Sequence, residues 1–173
     1  MTDSATGGTG EPLGAPRRGS QEANRFTSGP ISIEFAKAEH RYYRADLEID
    51  GIDHGGVSYE GRIFFNNPDA TSQTARTPET GYAGSFHIFG HGGCLGDPGH
   101  CEVSPRRDPF DYRTPHPLTP AKKRVNVTEA LRRAAADHDA LTVTIVPIVT
   151  ATNALTDDID VFRCKSITFL TYN

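Results

Sequence analysis

Apolar residues recur at every second position in several short runs of this chain. Ile31, Ile33 and Phe35 alternate with Ser32 and Glu34, and Ala45, Leu47 and Ile49 alternate with Asp46 and Glu48. A period of two turns one side of a strand to a core and the other to water, so both runs predict half-buried strands. Asp50-Gly51 and Gly55-Gly56 supply turn residues. Tyr59 to Phe65 predicts a third strand, closed by Asn66-Asn67-Pro68, and the polar stretch from Asp69 to Thr80 predicts a loop. Ala83 to Phe89 predicts a fourth strand, with His87 on the face opposite Phe86 and Ile88. Leu141, Val143 and Ile145 alternate with Thr142 and Thr144, and Asp160 to Leu170 reads as the last strand.

The period changes once. Asn126-Val127-Thr128-Glu129 reads as a capping box, with Asn126 as the N-cap and Glu129 reaching back. Val127, Leu131 and Ala134 or Ala135 then share one face of a short helix that stops near Asp137 to Asp139. Between the fourth strand and this helix, Gly90 to Lys123 is rich in Gly, Pro and Asp and predicts a long loop. Loops of that length in a compact domain are usually functional or disordered, so function is expected on this side of the molecule. Six to seven antiparallel-compatible strands and one short helix predict a mostly β fold, an antiparallel β-sandwich or flattened barrel.

Composition divides the chain in two. Met1 to Gly29 is dominated by Gly, Ser, Thr, Pro and charges, too little apolar surface to offset chain entropy, and reads as a disordered tail. Residues 30–173, ~145 in number, suffice for one core. The net charge is -4 with both signs interspersed and no basic stripe, which argues against nucleic acid as a partner. Arg106-Arg107 and Lys122-Lys123-Arg124 read as solvated loop charge. No apolar run reaches membrane-spanning length, and no secretory leader is recognised at the N-terminus. A cytoplasmic location is the expectation, with export alongside a partner as the alternative. The sequon Asn126-Val127-Thr128 is read as accidental on the same ground.

The chemistry is concentrated at the start of the long loop. Of seven His and three Cys, three His and two Cys fall between Gly84 and Cys101: His87, His91, Cys94, His100 and Cys101. Imidazole and thiolate are borderline and soft ligands that suit copper or zinc, and the intervening Gly residues let the backbone fold tightly enough for them to converge. Their spacing is not that of a structural zinc module; a mixed set in a loop suits transient copper better. Two other readings stay open: a Cys94–Cys101 disulfide, or a reduced turn that binds nothing. Cys164, in the expected final strand, reads as a small buried hydrophobe. His40, His54, His116 and His138 read as surface residues, and Asp157, Asp158 and Asp160 as a polar turn. No nucleophile elbow and no helix with paired His is present, so the residues by themselves give little support to catalysis.

The order of these motifs resembles the C-terminal β-sandwich domain of type 3 copper proteins, the molluscan hemocyanins and plant polyphenol oxidases. The matching pieces are Tyr43 to Ile49 leading to Gly51-Ile52, Arg62-Ile63-Phe64-Phe65 and Tyr82-Ala83-Gly84-Ser85-Phe86, similar to an Ala-Gly-Ser-Phe strand of that domain. They continue with the helix from Val127 to Ala136, the strand Leu141 to Pro147 and Ile167-Thr168-Phe169, so the resemblance spans about four-fifths of the chain. In that family the domain is fused to a helical domain that holds two coppers with six His and packs over its entrance. Nothing in this chain matches the dicopper domain, so the resemblance implies no oxidase activity for this chain alone. Separate caddie proteins load copper into bacterial tyrosinases, and some fungal relatives carry a Cys pair implicated in copper delivery.

The resemblance thus implies a non-catalytic accessory subunit of a tyrosinase-like type 3 copper oxidase. Such a subunit would dock on a separate catalytic subunit, shield its site and act as a copper chaperone through His87, His91, Cys94, His100 and Cys101. The alternatives are a structural or protein-binding sandwich with no metal role, and a small His/Cys copper metalloenzyme.

Overall fold

A computed structural model describes residues 25–37, 42–91, 119–149 and 161–173. Among them are nine strands and one helix: β1 (Phe26–Thr27), β2 (Ile31–Ser32), β3 (Arg44–Ile52), β4 (Tyr59–Phe65), β5 (Tyr82–Ile88), β6 (Ala121–Asn126), α1 (Thr128–Asp137), β7 (Ala140–Leu141), β8 (Val143–Ile148) and β9 (Ser166–Tyr172). All pairings are antiparallel. One sheet runs β1-β8-β4-β5, a second β6-β3-β9, and β2 with β7 forms a two-stranded ribbon. The expected sandwich-like, mostly β fold with a single helix is the observed one.

The alternation explains how the two larger sheets meet. Ala45, Leu47, Ile49 and Ile52 of β3 are fully buried, as are Ile63 of β4, Ile145 of β8 and Phe169 of β9. They belong to one apolar cluster that also takes in Tyr59, Phe86, Ile88, Leu131 and Phe162. Phe169 touches Phe65 across the cluster at a ring separation of 5.7 Å and Phe35 at 6.2 Å. Each fully buried Leu, Ile or Phe contributes about 1.5–3 kcal/mol relative to exposure, so this shared face dominates stability.

The polar side of the second sheet is closed by charge pairing. Asp46 is 1% exposed and receives two 2.8 Å hydrogen bonds from Arg44 Nε and Nη2. Glu48 accepts from Arg124 Nε at 2.6 Å and from Lys122 Nζ at 3.3 Å, and the Arg124 bond is the main cause of its lowered pKa. The run Lys122-Lys123-Arg124 is therefore part of β6, not loop charge. Lys122 and Arg124 pair with Glu48 and Asp50 of β3, Lys123 is in register with Ile49, and the loop expected to extend to Lys123 ends before Ala121.

Other boundaries also move. Phe26 and Thr27, placed in the tail by composition, pair with Ile145 and Thr144. Residues 1–24 lie outside the described part. Ile31 and Ile33 are buried as expected, yet only Ile31–Ser32 is strand, because the chain turns into a 3-10 helix at Glu34–Ala36. Asp50-Gly51 makes no turn: Gly51, at φ 69°, sits where the β3–β6 register slips between Ile49 and Ile52. The run from Leu141 breaks at Thr142, with β7 pairing β2 and β8 pairing β4 and β1. The final strand starts at Ser166 rather than Asp160.

The helix start differs in mechanism as well. Val127 is the N-cap, and Asn126 Oδ1 accepts from the Thr128 amide at 3.1 Å and its hydroxyl at 2.9 Å. Glu129 pairs with Arg132 at 2.8 Å instead of reaching back. Thr128 Oγ1 also accepts from the buried Ala45 amide at 2.8 Å, and the Val127 amide donates to Ala45 O at 2.9 Å, which pins α1 to β3. Replacing Thr128 by Val keeps the shape and orphans the Ala45 N–H. The expected outcome is a loss of about 1–3 kcal/mol in urea unfolding with an unchanged m-value.

Candidate functional site

The expected ligands begin on β5, whose placement rests on packing with β4. Register sets Gly61 opposite Phe86, and a Cβ on Gly61 would lie 2.4 Å from the Phe86 ring. Glycine at 61 thus makes room for the Phe86 ring, which packs edge-on to Tyr59 at 6.4 Å and against Phe162 at 6.1 Å. With Phe86 and Ile88 held inward, His87 is exposed, as alternation required. It stands in register with Glu60, whose Oε2 accepts from Arg62 at 3.2 Å and from Arg76 at 2.9 Å. That carboxylate is already committed to two guanidinium groups.

Past β5 the chain stays against the β3–β4 connection. The Gly90 amide donates to Ser58 Oγ at 3.0 Å and the His91 amide to His54 O at 2.9 Å. A Cβ on Gly90 would fall 2.1 Å from Gly56 O and 2.3 Å from the Val57 carbonyl carbon, so this close approach requires glycine. The connection is shaped by Asp53, whose Oδ1 accepts from the Gly55 amide at 2.9 Å. The exposed His91 ring meets the His54 ring edge-on, at a centroid separation of 5.0 Å and 74° between planes. His54 Nε2 lies 2.8 Å from Thr119 O. A carbonyl only accepts, so Nε2 carries the hydrogen and donates. Phe89, between His87 and His91, is 81% exposed.

Of the five residues expected to ligate metal, His87 and His91 are described, and Cys94, His100 and Cys101 lie outside the described residues, as does the Cys94–Cys101 disulfide reading. His40, His116, Asp157, Asp158 and Asp160 are outside them too. Among the described residues, no three of His, Cys, Asp and Glu group as a metal-ligand set. The contact that the structure does make at this place, His54 with His91, was not foreseen. His54 reads from sequence as a surface residue, and no local pattern relates it to His91, 37 positions away.

Elsewhere, a cavity of about 380 Å3 opens between α1 and the 3-10 turn at Pro78–Thr80, lined by Tyr82, Ala130, Arg133 and His138 among others. Asn67 in its wall donates to Thr80 O at 2.8 Å, which uses part of its polar lining within the protein. No helix of the described residues is long and apolar enough to cross a membrane.

No protein-family model and no curated protein matches this chain. Solved structures do match. Latent aurone synthase from natural source, a polyphenol oxidase, is 16% identical with a TM-score of 0.48, covering 88% of this chain and 25% of that one. Recombinantly expressed latent aurone synthase co-crystallised with hexatungstotellurate(VI) is 17% identical with a TM-score of 0.46, covering 86% and 24%. Both matched structures are polyphenol oxidases. The chain spans about a quarter of their length.

Cys164 is chemically quieter than the His residues. It lies just before β9, packed against the main core, and burial pushes its thiol up to about 11 from an ordinary 9.0. At pH 8 the thiolate, which is the nucleophile and the metal ligand, is correspondingly scarce. Iodoacetamide at pH 8 is expected to label Cys164 about tenfold or more slower in the folded chain than in urea, read by peptide mass spectrometry.

Proposed function

We propose that this chain is a non-catalytic accessory subunit of a tyrosinase-like type 3 copper oxidase. It docks on a separate catalytic subunit, shields the entrance to its site and assists copper loading. The observation that carries this reading is the edge formed by β5 and its exit, where one run of chain presents the exposed His87, Phe89 and His91. A large aromatic side chain left in water next to imidazoles is what a docking surface over a metal entrance needs. The ring supplies contact area and excludes water, and the imidazoles offer borderline ligands. The motif order from Tyr43 to Phe169 supports the same reading through its resemblance to the β-sandwich domain of type 3 copper proteins.

The donor set fits copper chemically. His87, His91, Cys94, His100 and Cys101 would hold the ion in its cuprous state, for which thiolate and imidazole are suitable ligands. His87 and His91 are exposed, and exposed ligands release an ion as well as taking it up, which delivery requires. The role of the chain's own residues is then to bind and hand over, with the sandwich as a rigid support.

Two measurements test this. Titration of the reduced chain with Cu+ is expected to show binding that weakens at least tenfold, on the order of 1.4 kcal/mol or more, when Cys94 and Cys101 are both replaced by Ser. Mixing the chain with a type 3 copper catalytic chain that has no β domain is expected to slow diphenol oxidation, and Phe89→Ala to relieve most of that inhibition. Unchanged binding in the Ser variant refutes delivery, and undiminished oxidation at micromolar chain refutes shielding.

A further inference from the structure

We infer that His54 and His91 form a two-imidazole site for a borderline divalent cation, with Cu2+ the preferred ion and water completing its coordination. Three observations converge on it.

The first is the ring geometry. Metal–nitrogen bonds of about 2.0–2.1 Å, meeting at an angle of roughly 90–109°, put the centroids of two ligating imidazoles about 4.5–5.2 Å apart. The His54 and His91 rings are 5.0 Å apart.

The second is the tautomer. His54 donates its Nε2 hydrogen to Thr119 O at 2.8 Å, so in the neutral ring the lone pair is on Nδ1. A ring N–H donated to a backbone carbonyl while the other nitrogen faces the ion is the usual way proteins orient a ligating histidine.

The third is preorganisation. The His91 amide is bonded to His54 O, the Gly90 amide to Ser58 Oγ, and Gly90 packs where no Cβ fits, so the backbones that carry both rings are held together before any ion arrives. His91 is exposed and His54 half-buried, which leaves an open path for the ion and for water. The nearby Asp53 carboxylate is engaged by the Gly55 amide. Imidazole ligands favour the ion at the top of the divalent affinity order, Cu2+, over Zn2+.

This inference does not rest on the oxidase reading. It uses His54, which that reading does not involve, and needs neither cysteine. The test uses the full chain carrying Cys94→Ser and Cys101→Ser, with Cu2+ alone as the probe. Substoichiometric Cu2+ is expected to broaden the amide NMR signals of residues 53–57 and 90–91 first. His54→Gln and His91→Gln are each expected to raise the Cu2+ dissociation constant at least tenfold, and His138→Gln to leave it unchanged. His91→Gln alters an exposed ring and keeps the backbone bond to His54, so it reports on ligation even if His54→Gln disturbs the fold. An unchanged affinity in His91→Gln, broadening centred on His87 or His138, or no Cu2+ binding in this background overturns the inference. The Cu+ titration of the cysteine pair is separate, so either idea can fail alone.

Discussion

Burial of one shared apolar face holds this molecule together. The inner sides of β6-β3-β9 and β1-β8-β4-β5 supply Leu47, Ile49, Ile63, Ile145, Ile167 and Phe169, all buried. Everything else is arranged so that this face can close. The N-cap Val127 and Leu131 of helix α1 cover one part, and the helix is tied to β3 through Thr128 and Ala45. The second, smaller cluster of Phe64, Ala70 and Val146 lies on the far side of the β4 strand, which explains why Ile63-Phe64-Phe65 is buried without a break.

The candidate site follows from that packing. Phe86 lies over Gly61, so β5 cannot rotate its face without expelling an aromatic ring from the core. His87 is thereby turned to water. The same strand direction carries Gly90 against Gly56 and Val57, and His91 onto His54. The imidazole pair is thus a consequence of the β4–β5 register and of two glycines, extended by one hydrogen bond to Thr119.

Much of the fold was legible in the sequence. Ala45 to Ile49 of β3, Tyr59 to Ile63 of β4 and Phe86 to Ile88 of β5 follow the period of two because in each a core face alternates with a wet or charge-paired one. The errors have physical causes. Lys122-Lys123-Arg124 reads as loop charge because such a run looks solvated, whereas Lys122 and Arg124 are matched to Glu48 and Asp50 on the neighbouring strand. The run Leu141, Val143, Ile145 reads as one strand because burial alternates through Thr142 even though the pairing partner changes there. Ile33 keeps the burial phase through a 3-10 turn, so periodicity alone could not tell it from a strand.

The sequence by itself determined the fold class, the inward and outward faces of the central strands, and the collection of His and Cys after β5, since these depend on local order along the chain. Only the tertiary structure decided which imidazoles meet. His54 and His91 are 37 positions apart, and no local pattern relates them. Their contact exists because an antiparallel register and a glycine-sized gap bring two loop backbones within hydrogen-bonding distance, and long-range pairing of that kind is set by packing rather than by spacing.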